Sequence, residues 1–187
     1  MAKLIECIPN FSVSKEKDEK VFQGLVDVAN SIPGCKLFDV QSDGNHNRCV
    51  FTLVGSPEAI EEVAFCLTKK AMETIDMTKH QGQHPRMGAV DVIPFVPTMD
   101  MDVKECVDLS KRVAERIWNE LQIPSFLYED SATVPERRNL AKCRKGQFEG
   151  MTEKLLLPEW KPDYGERRIH PTAGIVAIGA RMPLVAF

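Results

Sequence analysis

The chain has 187 residues, of which 43% are hydrophobic and 27% charged, and its formal net charge is −3. This length allows one buried core, so a single domain is expected, and the small negative charge argues against a general nucleic-acid or membrane-surface partner. The apolar runs are short, such as 155–157 and 92–96, and fall far below the roughly 20 residues of a membrane span.

Six cysteines are spread widely along the chain, at positions 7, 35, 49, 66, 106 and 143, and no C-x-x-C pair occurs. Four of the six lie inside apolar segments, so reduced and mostly buried thiols are favoured over three disulfides. The first residues run straight into a strand pattern and lack a signal-peptide cleavage region. We therefore expect a cytoplasmic protein.

The first half of the chain predicts six elements, each with its own start and stop signals. They are a strand at 4–9, a helix at 16–31, strands at 36–41 and 48–55, a helix that begins at 56–58, and a strand at 89–96. In the second helix Ser56 is the expected N-cap and Pro57 the first helical residue. The order β-α-β-β-α-β is that of the split βαβ, ferredoxin-like unit.

The second half is less regular and predicts further helices and strands around this unit. They are a helix at 102–121, a short strand at 125–128, short helices at 135–143 and 146–156, a long loop at 158–173, and strands at 174–180 and 184–187. The expected fold class is therefore α+β: a ferredoxin-like sandwich extended by further helices and one or two strands, with a mixed sheet and helices on one face. The last strand ends without a turn or cap, so we expect the chain to be a fragment of a longer protein.

The loop between the second helix and the fourth strand holds the clearest candidate for chemistry. His84 precedes Pro85, which disfavours the α region for the histidine, and an imidazole is suited to proton transfer near neutral pH. The alternative is that His80 and His84 are surface residues without a task. A metal site is weakly supported, because Gly82 and Pro85 oppose a continuous helix that would align the two rings.

Two other segments carry candidate binding groups. Arg48 and Arg86 could hold carboxylates, because a guanidinium binds a carboxylate through two hydrogen bonds; the alternative for the segment 45–48 is a polar hairpin turn. The segment 165–174, with sequence GERRIHPTAG, has the composition of a loop shaped around an anionic or planar ligand, or else of a solvated charge run. Nucleophile-elbow, P-loop and dinucleotide motifs are absent from the sequence, and the third strand lacks the aromatic pattern of an RNA-binding sheet.

Several of these segments occur together in a fixed order along nearly the whole chain. They read ECIPNFS at 6–12, NR at 47–48 followed by FTLVG at 51–55, IDM at 75–77, HPRMGAVDV at 84–92, PF at 94–95, WKPDYG at 160–165 and HPTAG at 170–174. This set resembles the N-terminal subdomain of glutamate formiminotransferase, the transferase half of formiminotransferase-cyclodeaminase that also occurs as a stand-alone bacterial protein. Residues 1–187 would then be that subdomain, with the C-terminal subdomain absent from the chain.

The resemblance implies a transferase that moves a formimino group between 5-formimino-tetrahydrofolate and L-glutamate, with tetrahydrofolate as co-substrate and no metal. It implies that His84 acts in proton transfer. It also implies a folate-binding loop made of ten residues: Gly165, Glu166, Arg167, Arg168, Ile169, His170, Pro171, Thr172, Ala173 and Gly174. A homodimer is expected by analogy with the family.

Two positions depart from the family pattern. The resemblance leads us to expect an acid before the motif histidine and another after the second strand, and this chain has Gln83 and Gln41 there. A carboxylate near an imidazole orients it and raises its pKa, so the departures leave two alternatives open. One is a glutamate formyltransferase that uses 5-formyl-tetrahydrofolate, and the other is a non-catalytic folate-binding module.

Overall fold

One mixed sheet of seven strands runs through residues 2–98 and 100–184, the part of the chain that the computed structural model describes. The strands are β1 (Ile5–Cys7), β2 (Asn10–Phe11), β3 (Cys35–Asp43), β4 (Arg48–Gly55), β5 (Val90–Pro97), β6 (Ser125–Leu127) and β7 (Val176–Ala180). Both β1 and β2 pair antiparallel with β4 and with β5, so they act as one interrupted strand. The spatial order is β3, β4, β1 with β2, β5, β7 and β6.

The interruption between β1 and β2 lies at Ile8 and Pro9. Proline has no backbone N–H and cannot donate to a ladder in the middle of a sheet. The flanking strands still contact the chain there, because Ile8 N donates to Pro94 O at 3.1 Å and Phe51 N donates to Pro9 O at 3.1 Å. The break therefore leaves the sheet continuous.

Three long helices cover one face of the sheet. They are α1 (Glu19–Ser31), α2 (Pro57–Thr74) and α3 (Val103–Leu121). Each begins at a side-chain cap, supplied by Asp18, Ser56 and Asp102 respectively, and such caps contribute about 1 kcal/mol each. Their apolar stripes meet the sheet in the main core, which includes Leu25, Ile60 and Val113.

Two short helices, α4 (Leu140–Arg144) and α5 (Gln147–Lys154), lie on the opposite face. Successive strand residues point to opposite faces, and Ile178 and Ala177 of β7 follow this rule. Ile178 packs in the main core, whereas Ala177 packs with Cys143 of α4 and Met151 of α5 in a second cluster. The chain therefore has helical layers on both faces of the β5–β7–β6 region.

The expected α+β, ferredoxin-like fold with a mixed sheet is confirmed, and the layer formed by α4 and α5 adds to the helices expected on one face. The helix predicted at 16–31 begins only at Glu19, because Asp18 caps it. The helix predicted at 135–143 divides at Asn139, which ends a 3-10 helix (Pro135–Arg138) and caps α4. Two further 3-10 helices occupy Glu129–Ser131 and Pro158–Trp160. Of the strand predicted at 184–187, Leu184 is not in a strand and 185–187 lie outside the described residues.

All six cysteines lie within the described residues and are free thiols, and four of them are buried, in agreement with the expectation of mostly buried thiols. Burial raises the pKa of Cys49 to about 12 and that of Cys143 to about 11, so these thiols stay protonated and unreactive at neutral pH. Among the described residues, none of the helices has the length and apolar character that a bilayer crossing needs.

Candidate active site

Two polar loops meet at one end of the sheet. One is the His84 loop, residues 77–88, and the other is the β3–β4 turn, residues 44–47. Gln83 N donates to Asn45 O at 3.2 Å, and Asn47 Nδ2 donates to Gln81 O at 3.0 Å. A Cβ on Gly82 would overlap the carbonyl oxygen of His46, so only glycine allows this approach. These contacts fix the two loops against each other.

His84 lies half-buried in this junction, with 12% of its side chain exposed. Arg48 Nη1 is 3.3 Å from Nδ1 and 3.2 Å from Nε2 of the ring. An N–H aligned with one nitrogen's lone pair could not be equally close to the other nitrogen, so the guanidinium rests against the ring rather than along either lone pair. The His84 side chain is therefore oriented by packing against Arg48.

Asp91 supplies a buried carboxylate next to this ring. Its side chain is 2% exposed and its Oδ2 lies 3.8 Å from His84 Nε2, too long for a hydrogen bond but close enough for charge to matter. Met87 N donates to Asp91 Oδ1 at 3.0 Å, and Arg144 donates to Oδ2 through Nε at 2.7 Å and through Nη2. The ion pair with Arg144 offsets part of the cost of burying this charge.

An irregularity in β5 places Asp91 there. Asn10 pairs with Val92 and the next residue, Phe11, pairs with Val90, so Asp91 is an extra residue opposite β2. Such a bulge re-aims a side chain. Val90 packs in the main core and Val92 in the second cluster, whereas Asp91 reaches Arg144 of α4 on the same side as Val92.

Arg86 does not face an open groove. The residue is only 5% exposed, and its guanidinium donates to Glu149, to Gln147 and to both Nδ1 and the backbone oxygen of His80. These bonds engage all three of its nitrogens. The substrate-binding role predicted for Arg86 would therefore require the Glu149 pair to break, and in this structure Arg86 ties the His84 loop to α5. The same pair lowers the pKa of Glu149 to about 2.

His80 is a structural member of this junction. Its Nδ1 accepts from Arg86 Nε at 2.9 Å, and its Nε2 therefore carries the proton that is donated to Asn47 O at 3.0 Å. Burial lowers its pKa below the ordinary value, with Arg86 acting in the same direction. Both ring nitrogens are thus engaged within the protein, which removes the physical basis for a metal site shared by His80 and His84.

The second half of the 165–174 segment lies directly against the His84 loop. Ala89 N donates to Ala173 O at 2.9 Å, Ile175 N donates to Met87 O at 3.2 Å, and Met77 N donates to Thr172 O at 2.8 Å. Gly174 has φ +72°, and a Cβ there would overlap Met87 O. The structure therefore brings the predicted folate segment and the predicted catalytic loop together through backbone pairing.

His170 closes the turn of this segment upon itself. Its Nδ1 accepts from Thr172 N at 3.2 Å and Ala173 N at 3.0 Å, so its proton is on Nε2. Its partial burial and the nearby Arg168 lower its pKa. Pro171 is exposed beside it. His170 thus shapes the loop through Nδ1.

The first half of the segment, from Gly165 to Ile169, extends away toward the end of α3. Arg167 Nη1 donates to the carbonyls of Leu155 and Leu157, both at 2.8 Å. Arg168 bonds Glu166 and Gln122 and lies over the Trp118 ring at 5.3 Å. Ile169 packs on the second cluster. The two arginines that suggested anion binding are thus partly used to hold the segment in place.

Two cavities open beside the His84 loop. The larger, of about 500 Å³, runs between Pro85 and the α4–α5 layer and is lined by Arg144, Lys145 and Gln147 among others. The smaller, of about 180 Å³, lies on β3 and β4 next to Arg48 and Asp43. The cavities therefore border two neighbours of His84, the adjacent Pro85 and the contacting Arg48.

The sequence patterns do not identify four residues of this site: Asp91, Arg144, Glu149 and His46. Only Asp91 carried a signal, since it is the one charge in an otherwise apolar buried strand, VDVIPFV. Asp91 also matters for the two departures from the family pattern, Gln83 and Gln41. The Gln83 side chain is exposed and that of Gln41 bonds Asp39, whereas Asp91 places a carboxylate 3.8 Å from the His84 ring.

The chain is similar to known proteins over nearly its whole length. The chain matches the family described as "Formiminotransferase domain, N-terminal subdomain" over residues 4–181. The glutamate formimidoyltransferase of Streptococcus pyogenes serotype M1 is 66% identical over 187 residues, which are 100% of this chain and 62% of that protein. The glutamate formimidoyltransferase of Thermoplasma acidophilum is 41% identical, over 98% of this chain and 60% of that protein.

The fused relatives are longer still. The formimidoyltransferase-cyclodeaminase of Gallus gallus is 43% identical over 100% of this chain and 34% of its own length. The chain therefore spans less than two thirds of the curated relatives that it matches. The match over almost all of its length shows that this chain belongs to the family of formiminotransferase-domain N-terminal subdomains.

Proposed function

We propose that this chain carries the proton-transfer histidine of an enzyme that moves a formimino group between 5-formimino-tetrahydrofolate and L-glutamate. The observation that carries the proposal is the backbone pairing between residues 87–89 and 173–175. It holds the proposed folate segment against the loop that presents His84. The names of the relatives, which are formimidoyltransferases acting on glutamate, support the same chemistry.

His84 would move the protons that the reaction requires. The amine of glutamate must lose a proton to attack the formimino carbon, and the folate nitrogen must gain one to leave. An imidazole can accept the first and donate the second. Asp91 at 3.8 Å and Arg48 against the ring would keep His84 in one orientation. Positioning the imidazole would then add less to the activation free energy.

Arg48 is the better candidate of the two predicted arginines for a substrate carboxylate. Within the described residues its guanidinium is at hydrogen-bonding distance only from the His84 ring, and the small cavity on β3 and β4 opens beside it. Arg86, by contrast, is fully engaged with Glu149 and its neighbours. The residues 170–174 are the part of the proposed folate segment nearest to the reaction.

A donor comparison on the full-length protein tests the proposal. Release of tetrahydrofolate would be measured with 5-formimino- and with 5-formyl-tetrahydrofolate, each in the presence of glutamate. We expect faster turnover with the formimino donor and a loss of about 100-fold or more in the His84→Ala variant. Lys79→Ala is the matched control, because that side chain is 83% exposed in the same loop.

The outcomes separate the alternatives. Preference for the formyl donor would identify a formyltransferase, and folate binding without turnover would identify a non-catalytic binding module. Equal rates for His84→Ala and Lys79→Ala would remove His84 from the mechanism. The homodimer inferred from the resemblance and the cytoplasmic location inferred from the cysteine pattern remain predictions, which light scattering and cell fractionation test.

A further inference from the structure

The β3–β4 turn carries a second histidine that is held by a carboxylate. His46 Nδ1 lies 2.7 Å from Asp43 Oδ2. A carboxylate only accepts, so Nδ1 carries a proton and donates it. Asp43 Oδ1 in turn accepts from the backbone N–H groups of Asn45 at 2.9 Å and His46 at 3.1 Å, and these bonds lower the pKa of Asp43. The imidazole is therefore fixed in one tautomer.

The other nitrogen of His46, Nε2, is not engaged by Asp43. Its side chain is 42% exposed, and within the described residues Nε2 makes no hydrogen bond. The ring centroid lies 6.3 Å from that of His84, with the two planes at 69°. Two acid–base groups this close can act on neighbouring atoms of one reacting group.

The distance between the two rings is set by the protein. The β3–β4 turn and the His84 loop are joined by the bonds Gln83 N to Asn45 O and Asn47 Nδ2 to Gln81 O, and by the close approach of Gly82 to the carbonyl of His46. These contacts fix the positions of both loops. Precise placement of reacting groups contributes directly to the rate of a reaction.

We propose that His46 is a second proton-transfer residue, which acts on one reactant while His84 acts on the other. The inference rests on the proposed formimino transfer. In that reaction the glutamate nitrogen bonds to the formimino carbon and loses a proton, the bond from that carbon to N5 of the folate breaks, and its electron pair returns to N5, which takes up a proton. One neutral imidazole accepts the first proton and the other, as imidazolium, delivers the second, so protons and charge balance. Asp43 is the positioning residue of this pair.

Steady-state kinetics of four variants of the full-length protein test this inference. The kcat of His46→Ala should fall about 100-fold or more, with a smaller change in KM, and external imidazole should restore part of it. Asp43→Asn should also lower kcat, because its amide N–H₂ would oppose Nδ1–H and favour the wrong tautomer. Asn45→Ala is the matched control, since its exposed side chain makes no hydrogen bond within the described residues, and His84→Ala reports on the proposed function itself.

Each result decides between the two claims. If wild type is inactive, or His84→Ala keeps full activity, the proposed function fails and this inference fails with it. If wild type is active and His84→Ala is not, a His46→Ala kcat within about threefold of wild type overturns the role of His46 alone. A loss shared by Asn45→Ala would assign the effect to the conformation of the turn and would also overturn it. If His46→Ala does not fold, as judged by circular dichroism, Asp43→Asn and His46→Asn decide in its place.

Discussion

The guanidinium of Arg86 and the carboxylate of Glu149 meet through two parallel hydrogen bonds, Nη1–Oε2 at 2.9 Å and Nη2–Oε1 at 2.7 Å. Arg86 is buried, whereas 64% of the Glu149 side chain is exposed. Bidentate geometry makes this pair stronger than an ordinary surface ion pair. It joins the His84 loop to α5 and therefore helps to hold the candidate site in place.

Replacing Glu149 by Gln should weaken this junction without changing the shape of the side chain. The variant loses one of the two parallel bonds and the charge that neutralises Arg86, so we expect a loss of about 1 kcal/mol in the free energy of unfolding. Urea unfolding measures it. Glu153→Gln is the control, because Glu153 is exposed on the same helix; an equal effect in both variants would contradict a specific role for the pair.

The stability of the junction should fall in acid. Burial lowers the pKa of His80 from its ordinary value of 6.5. As the pH falls, the unfolded chain therefore protonates His80 at a higher pH than the folded chain does, and stability declines below pH 6.5. Arg86 lowers the pKa of Glu149 from 4.5 to about 2, so its contribution is full above pH 4.5 and disappears as pH falls toward about 2. The difference in unfolding free energy between wild type and Glu149→Gln should therefore be smaller at about pH 3 than at about pH 6, and a constant difference would count against this account.

The Asp91–Arg144 pair offers a separate test, because both side chains are largely buried. Asp91→Asn keeps an acceptor for Met87 N but leaves the Arg144 charge without a partner. We expect a loss of about 3 kcal/mol in the free energy of unfolding. Adding Arg144→Met to that variant should recover much of this loss, since it removes the unpaired charge. A double variant no more stable than Asp91→Asn would show that the ion pair is not the cause.

Replacing either of two glycines by alanine should change the stability of the protein, in opposite directions. Gly174→Ala places a Cβ against Met87 O at φ +72°, so we expect a destabilisation of about 2 kcal/mol or more and a separation of residues 172–174 from the His84 loop. Gly150→Ala lies in α5, where a Cβ would meet nothing within 4 Å, so we expect a stabilisation of about 0.5 to 1 kcal/mol. Thermal unfolding of both variants checks the prediction, and a neutral Gly174→Ala would contradict the proposed close contact.

The sequence predicted those parts of the fold that depend on local signals. Ser56, Pro57 and the capping box of Asp102 and Glu105 mark helix starts, and the helices begin there. The strand predicted at 4–9 stops short of β2. Pro9 interrupts the hydrogen-bond ladder, but the chain continues along the same path through the sheet. Local propensity describes a residue's own backbone and says nothing about neighbours that bridge a break.

The site was harder to predict because its ion pairs join residues far apart in sequence. Arg86 and Glu149 are 63 residues apart, and Asp91 and Arg144 are 53 apart. In the sequence Arg86 stands two residues from His84 and has no evident partner. Only the packing of α5 shows that its guanidinium is already paired with Glu149. The bulge at Asp91 likewise depends on the register between β2 and β5, which no local pattern encodes.

The backbone pairing of residues 87–89 with 173–175 has a consequence for ligand binding. The amides of Ala89 and Ile175 belong to two different loops but can open to solvent only together, since each is bonded to the other loop's carbonyl. A molecule that immobilises one loop must therefore slow hydrogen exchange in the other. Ligand binding at residues 170–174 and the alignment of the imidazole at position 84 would then be coupled.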